Sequence, residues 1–244
     1  MGSDKKIGII TQARTTSTRL PRKVLMKLDG KTLLEHHMDR LKWSGLPVFL
    51  ATTINQSDDE IVALSDKLLI PNFRGSEDDV LSRYYGCAQK YKLDVIVRVT
   101  SDCPLIDGNL IKDGVEKFLA AGNDAYVSNC LIRTYPRGFD FEVFSFEALE
   151  KAFKNAVEKP EREHVTPYIR NPDKNKNLQI IDQVRPASAG KHRITVDEED
   201  DFKLIQLLIE KYHLADKKAD EIIEFLERHP EISKINAHVE QKKV

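Results

Sequence analysis

Ile7-Gly8-Ile9-Ile10 runs directly into Thr11-Gln12-Ala13-Arg14-Thr15-Thr16-Ser17-Thr18-Arg19-Leu20-Pro21-Arg22-Lys23. The first four residues are apolar and mostly β-branched, the pattern of a buried strand. The polar loop that follows carries four cations, Arg14, Arg19, Arg22 and Lys23, and no acid. In an α/β sheet the carboxyl end of the first strand opens onto the crevice where ligands bind. Hydroxyls, backbone N–H groups and clustered Arg and Lys suit a polyphosphate there, since arginine donates forked hydrogen bonds and lysine supplies a compact charge. A solvated basic turn or a nucleic-acid patch fits the same loop chemistry. The loop is neither a Gly-x4-Gly-Lys-Ser/Thr P-loop nor a Gly-x-Gly-x-x-Gly turn.

Working outward, the spacing predicts a helix near Leu33–Leu41, a strand at Val48–Thr53 and helices over Asp58–Leu69 and Asp78–Tyr91. Asp94–Thr100 is the clearest strand of all, and a helix near Leu110–Ala121 follows Pro104. Strand and helix alternating through short connections indicate a mainly parallel sheet covered on both faces. Phe139–Phe144 alternates apolar and acidic residues, which predicts a strand with one polar face. Beyond it the pattern predicts helices near Phe146–Val157 and Glu161–Ile169, and strands at Leu178–Val184 and His192–Val196. Asp200–Tyr212 and Asp220–Arg228 read as amphipathic helices. No repeat or low-complexity linker divides residues 1–244, so one domain is expected, with a small lobe at about 129–190.

The chain has 244 residues, 41% hydrophobic and 32% charged, with a net charge of −1. That is long enough for a buried α/β core, and no global charge points to a nucleic-acid or membrane partner. No apolar run approaches a membrane span, and Met1–Lys6 lacks an apolar signal core. Gly2-Ser3 has the look of a tag remnant. Three widely spaced cysteines, Cys87, Cys103 and Cys130, suit neither a disulfide framework nor a zinc site, and agree with a cytoplasmic setting.

Two aspartates stand just past predicted strands: Asp102 in Ser101-Asp102-Cys103-Pro104-Leu105-Ile106-Asp107, and Asp197 at the end of His192–Asp197. Converging from separate strands, they could hold Mg²⁺, which favours oxygen ligands and keeps substrate phosphates in its shell. Taken singly, each has a plain alternative as a cap or turn former. Asp107, Glu198, Glu199, Asp200 and Asp201 read as caps and solvated first-turn acids. Asn72–Arg83 leads from a strand-like segment into a helix and reads either as a wall of a nucleotide pocket, with Arg74 and Ser76 near the base, or as a capped helix. Arg133, Asp140, Glu142, Arg162 and His164 form a polar set suited to sugar hydroxyls or a carboxylate, or to an ion-pair network. His36 and His37 look incidental.

The loop Ala13–Lys23 resembles the Ala-Arg-x-x-Ser-x-Arg-x-Pro-x-Lys signature of the cytidylyltransferases that activate KDO and sialic acids. It is closest to their relatives in spore-coat polysaccharide biosynthesis. Asp102 matches the family's Asp-x-Pro-Leu/Met-Ile motif and Asp197 its Val-Asp-x-x-x-Asp motif. The likeness extends through Arg162–Tyr168 to the tail Asn236–Lys242. It implies a nucleotide-diphospho-sugar transferase fold: a Rossmann-like, GT-A type three-layer α/β sandwich whose sheet is mixed but mostly parallel. A small β-rich lobe, which in relatives often forms a homodimer, belongs to that fold. By resemblance, Arg14 and Lys23 contact the phosphates of CTP, while Ala13, Thr15 and Ser101 lie with Arg74 and Ser76 in the nucleotide site. Arg19 is either structural or a secondary phosphate contact. Asp102 and Asp197 bind Mg²⁺, and Arg133, Asp140, Glu142, Arg162 and His164 receive the acceptor. Relatives often carry glycine where this chain has Thr16 and Arg22. The reaction implied is in-line attack of an acceptor oxygen on the α-phosphorus of CTP, expelling pyrophosphate. Rival readings are a non-sugar acceptor such as a phosphonate or polyol phosphate, a different nucleotide, a glycosyltransferase, and a catalytically silent nucleotide-binding protein.

Overall fold

The computed structural model describes residues 5–241. Gly2-Ser3 and Lys242, on which two of the readings above fall, lie outside them. Strand β1 (Ile7–Gln12) is followed by a tight hairpin of β2 (Lys27–Leu28) and β3 (Lys31–Thr32), then helix α1 (Leu33–Leu41). Next come β4 (Val48–Thr53), α2 (Asp59–Lys67), β5 (Asn72–Gly75), α3 (Val80–Tyr91), β6 (Val95–Thr100) and α4 (Gly108–Ala121). The second half adds β7 (Ala125–Ser128), β8 (Glu142–Ser145), α5 (Phe146–Asn155), α6 (Lys159–His164) and β9 (Gln179–Asp182). It closes with α7 (Glu199–Gln206), α8 (Ala219–Arg228) and the single turn α9 (Pro230–Ser233).

One seven-stranded sheet runs β5-β4-β1-β6-β8-β7-β9. β8 pairs antiparallel with β6 and β7, while the remaining ladders are parallel, so the mixed, mostly parallel α/β sheet expected from the sequence is the one observed. Alternation along each strand feeds two cores. Ile9 and Val97 pack with Leu33, Leu41, Ile111 and Leu204 on one face. Ile10 and Ile96 pack with Phe49, Tyr84, Phe144 and Leu149 on the other. Each fully buried aliphatic or aromatic side chain stabilises the fold by about 1.5–3 kcal/mol. A sheet buried on both faces is therefore the rigid part of the molecule. The carboxyl ends of β1, β4, β5 and β6 share one edge of it, and the loops that leave that edge build the site.

Local chemistry explains the elements near it. Thr32 and Glu35 form a reciprocal capping box at the start of α1, with Glu35 N donating to Thr32 Oγ1 at 3.1 Å and Thr32 N to Glu35 Oε2 at 2.7 Å. Asp29-Gly30, both at positive φ, make the two-residue turn between β2 and β3.

Several expectations are corrected. The alternating stretch Phe139–Phe144 becomes a strand only from Glu142, and it has no solvent face, because all four residues of β8 are buried beneath helices α4 and α5. The helix expected over Glu161–Ile169 runs from Lys159 to His164 and ends where Val165 takes φ 70°. His192–Val196 is not a ladder strand. It makes one parallel bridge, Arg193 to Arg137, and otherwise bonds to loops, with Val196 N donating to Asp102 O at 2.8 Å. Its β-branched pattern reports burial rather than strand pairing. β7, not foreseen, is four buried residues long. β8 and β9, from the stretch 129–190, lie within the main sheet.

Candidate active site

The basic loop leaves β1 and is fastened at its root. Ala13 is buried, its N–H donating to Ala51 O and its carbonyl accepting from Thr52 Oγ1. Thr15 donates both its N–H (2.8 Å) and its hydroxyl (2.7 Å) to Asp58 Oδ1, and Thr52 and Thr53 donate to the other oxygen. Asp58 is wholly buried; burial pushes its pKa up, but these hydroxyl and N–H donors win and hold it below the ordinary carboxylate value. Thr15 is therefore a loop anchor. Arg22 N donates to Thr15 O at 2.9 Å and closes the loop with Arg22 at φ 58°. That left-handed backbone explains why glycine suits this position. Arg22→Gly is expected to raise unfolding stability by up to about 1 kcal/mol. The Arg22–Glu60 pair is too exposed to reverse the sign. A lower urea midpoint for the variant would overturn this.

At the far end of the loop Lys23, only 8% exposed, reaches the centre of the site. Its Nζ lies 3.1 Å from Asp102 Oδ2, 2.8 Å from Asp197 Oδ1 and 2.6 Å from Val196 O. Three segments far apart in sequence thus meet at one nitrogen. Burial lowers the Lys23 pKa, yet the two carboxylates outweigh it and hold it above the usual lysine value. Burial likewise pushes Asp102 up, but the Lys23 charge and hydrogen bonds from Thr100, Lys23 and Cys103 bring it down to about 2. Thr195 Oγ1 and Val196 N both donate to Asp102 O, clipping the two aspartate segments together through the backbone.

Asp197 is held from behind by Asp201, expected among the caps and solvated first-turn acids. Asp201 does stand in the first turn of α7 and shares a capping box with Glu198, but it is fully buried rather than solvated. It accepts from Arg193 Nε (2.9 Å) and Nη2 (3.2 Å), from the backbone N–H of Asp197 (2.9 Å) and Glu198 (3.1 Å), and from Asn236 Nδ2 (2.7 Å). Arg193 Nη2 also donates to Asp197 Oδ2 at 2.7 Å, and Arg19 stands 2.9 Å from the same oxygen. Arg193 Nη1 donates to Gln241 Oε1 at 2.7 Å, so the C-terminal segment closes this network. Arg193 and Asn236 were not singled out for the site in the sequence, and Asp201 only as a first-turn acid. An Asp four residues after Asp197 was the available signal.

His37 was also misread. It is fully buried on α1, with Nδ1 2.8 Å from Cys103 O and Nε2 2.9 Å from Thr11 Oγ1, tying the Asp102 loop to β1. Burial lowers its pKa to about 4, against the opposing effects of the Cys103 carbonyl and Asp102. An unfolded histidine takes its proton near 6.5, so between pH 6.5 and 4 the unfolded chain binds more protons. Stability is full above pH 6.5 and falls as pH drops through that window, by up to about 3 kcal/mol. Urea titrations at pH 7, 5.5 and 4.5 should show this loss in the wild type and a flatter profile in His37→Gln. Equal slopes would refute it.

The nucleotide-side residues occupy the mouths of β4, β5 and β6. Glu77 accepts from Arg14 Nη1 at 3.1 Å and from Thr16 and Asn55, joining three loops. The Arg74 guanidinium donates to Thr53 O, Asn55 O and Asp59, so it braces the loop after β4. Ser76 Oγ accepts from Asp79 N at the start of α3, and Ser101 is buried with its N–H on Gln12 O.

The acceptor-side residues separate. Arg133 and Asp140 form a two-pronged pair, both bonds 2.8 Å, close enough for their charges to act on the Cys103 thiol. Glu142 is buried against Arg98, Tyr126 and Thr166, and burial is outweighed by Arg98 and these donors, which hold its pKa down. Arg162 binds Asp79 and Phe153 O, pinning α6 to α3. Glu142 and Arg162 are thus internal braces. His164 is half-buried, its pKa lowered by burial and by Arg98 and Arg170.

Two carboxylates bonded to one nitrogen, beside the Val196 carbonyl, make a hard-oxygen donor set. Among the described residues no cluster of three or more His, Cys, Asp or Glu is placed to hold a metal. The pair fits an ion that completes its shell with substrate phosphate and water, as Mg²⁺ does.

Known proteins share this sequence and this fold. The profile of the family described as Cytidylyltransferase matches residues 8–243. The spore coat polysaccharide biosynthesis protein SpsF of Bacillus subtilis is 32% identical over 91% of this chain and 94% of its own length. An uncharacterized protein of Methanocaldococcus jannaschii is 45% identical over 98% and 97%. The structure of a cytidylyltransferase from Leptospira borgpetersenii superposes with a TM-score of 0.89 at 31% identity, covering 98% of this chain and all of that one.

Proposed function

The chain belongs to the cytidylyltransferase family, and from that premise we propose that it transfers CMP from CTP to a sugar or sugar-acid acceptor for cell-surface polysaccharide synthesis, releasing pyrophosphate. The observation that carries this reading is the meeting of Lys23 with Asp102 and Asp197 at the root of the cationic loop. A triphosphate needs clustered cations and a carboxylate-held divalent ion together, and few other ligands need both.

In this reading Arg14 and Lys23 bind the phosphates and offset the charge that builds on the leaving pyrophosphate. Arg14 is free to do so cheaply: its side chain is 44% exposed and its pair with Glu77 is a surface one, worth about 0–1 kcal/mol. Asp102 and Asp197 would hold Mg²⁺, which supplies charge neutralisation at the α-phosphate. Asp201, Arg193 and His37 keep those carboxylates in place. Ala13, Ser76 and Ser101 line the nucleotide side, with Thr15 and Arg74 fixing its loops. Arg133, Asp140 and His164 receive the acceptor, on walls braced by Glu142 and Arg162. The acceptor oxygen attacks the α-phosphorus in line, the P–O bond to pyrophosphate breaks, and the acceptor's proton passes to solvent or a basic group at the mouth. The work is positioning and charge, with no covalent intermediate.

The test is pyrophosphate release from CTP, ATP, GTP and UTP, each with a panel of 2-keto-3-deoxy sugar acids, aldoses, phosphonates and polyol phosphates. Release with CTP and a sugar-type acceptor is expected. Release only with another nucleotide, or only with a phosphonate or polyol phosphate, would overturn the assignment. So would tight CTP binding without turnover, the mark of a silent binding protein.

Two further parts of the reading are proposals. We place the enzyme in the cytoplasm, a setting supported by free Cys87, Cys103 and Cys130, and no helix among the described residues is long and apolar enough to cross a membrane. We also propose a homodimer, supported by exposed Leu131, Ile132, Ile180 and Val184 around the edge strand β9. Ile180→Lys is expected to sediment as a monomer where the wild type sediments as a dimer. A monomeric wild type refutes this.

A further inference from the structure

We propose that Lys23 is the resident counter-ion of the Asp102–Asp197 pair, leaves it only when a divalent cation takes its place, and on leaving couples metal binding to triphosphate binding. This rests on the assignment of the two aspartates as metal ligands.

An ammonium group has three donors and no acceptor. All three donors of Lys23 are engaged, at 3.1 Å to Asp102, 2.8 Å to Asp197 and 2.6 Å to Val196 O. In this arrangement Lys23 has nothing left for a phosphate, so a lysine that binds CTP must first let go. The two aspartates differ in what they would lose. Asp197 keeps Arg193 at 2.7 Å and Arg19 at 2.9 Å. Among the described residues, Lys23 is the only cation within salt-bridge distance of Asp102. Lys23 cannot withdraw and leave a largely buried carboxylate beside a second one, because like charges at close range strongly disfavour ionisation of both. Departure therefore requires an incoming cation.

The exchange has a direction. Without nucleotide, a divalent ion must displace a lysine tethered at the site by its own chain, and the released ammonium exchanges three short bonds for water. With a triphosphate present, its oxygens accept the released donors. Ion and nucleotide then favour each other's binding through Lys23, beyond any direct bond between them.

The test is Mn²⁺ titration of the whole protein, followed by electron paramagnetic resonance, for wild type and Lys23→Met. Each is measured with and without an α,β-methylene analogue of CTP. Without nucleotide the variant should bind Mn²⁺ about tenfold tighter than wild type. The analogue should tighten Mn²⁺ binding more in wild type than in the variant. In thermal unfolding, Lys23→Met should melt below wild type and recover on adding Mg²⁺, a recovery lost when Asp102→Asn is added. Lys23→Gln serves the same comparison where the methionine variant is too unstable to purify. If the lysine variants bind Mn²⁺ no tighter than a wild type that does take it up with nucleotide, the counter-ion role falls and the metal assignment stands. If no form binds Mn²⁺ in either state, the metal assignment fails and the proposal with it.

Discussion

Replacing Asp102 by asparagine is expected to slow pyrophosphate release about 10³-fold, the upper range for one electrostatic contact to a transferring phosphoryl group, while the protein stays folded. The fold survives because the loop is held by its backbone. Val196 N and Thr195 Oγ1 bind the carbonyl of residue 102, which the substitution leaves in place. Lys23 likewise keeps Asp197 and Val196 O. The lost charge removes about 2 kcal/mol of stability at neutral pH, judged from a carboxyl brought down to about 2 by its partners. That contribution is whole above about pH 4 and disappears as pH falls from there toward 2, because a depressed carboxyl pKa stabilises only the ionised form. Steady-state rates beside a urea titration separate the two effects. Near wild-type turnover in Asp102→Asn would remove Asp102 from the chemistry.

Asp201→Asn should be the most destabilising single change near the site, by about 3–5 kcal/mol, the usual loss when one partner of a buried pair is removed. The carboxylate accepts five donors while wholly buried. An amide offers one oxygen and turns two N–H donors toward Arg193 and the Asp197–Glu198 backbone. Asp197 then loses its support and turnover falls as well, so stability and rate move together. In Asp102→Asn the rate falls far more than the stability. The neighbouring Asp200→Asn is the contrast: Asp200 bonds exposed Lys203 and His238 at the surface, and its loss should move neither quantity. A urea midpoint for Asp201→Asn close to wild type would mean the site is held elsewhere.

Much of the fold was legible in order along the chain. Val48–Thr53 and Leu33–Leu41 are recovered with their expected bounds, because continuous apolar runs and helical spacing record burial directly. The basic loop was legible as four clustered cations behind the first strand, but not that each of them pairs with an acid from another segment, Glu77, Glu198, Glu60 and Asp102. What misled was burial without regular pairing. His192–Val196 has the composition of a strand yet pairs with loops, and Glu142 looked solvent-facing because acids usually are. β7 was missed because four residues carry too little periodicity to read.

By itself the sequence determined the layer order, the parallel core of the sheet and the residue types at its carboxyl edge, all of which follow from hydrophobic spacing and local charge. Only the tertiary structure decided which of many similar acids matter. Asp102, Asp197, Asp200 and Asp201 are the same side chain in the same kind of setting along the chain. They are separated by their partners: a buried lysine reaches Asp102 and Asp197, five donors enclose Asp201, and Asp200 pairs with Lys203 and His238 at the surface. Lys23 comes to these carboxylates across 79 and 174 residues of chain and Asn236 across 35, and no local pattern records such meetings.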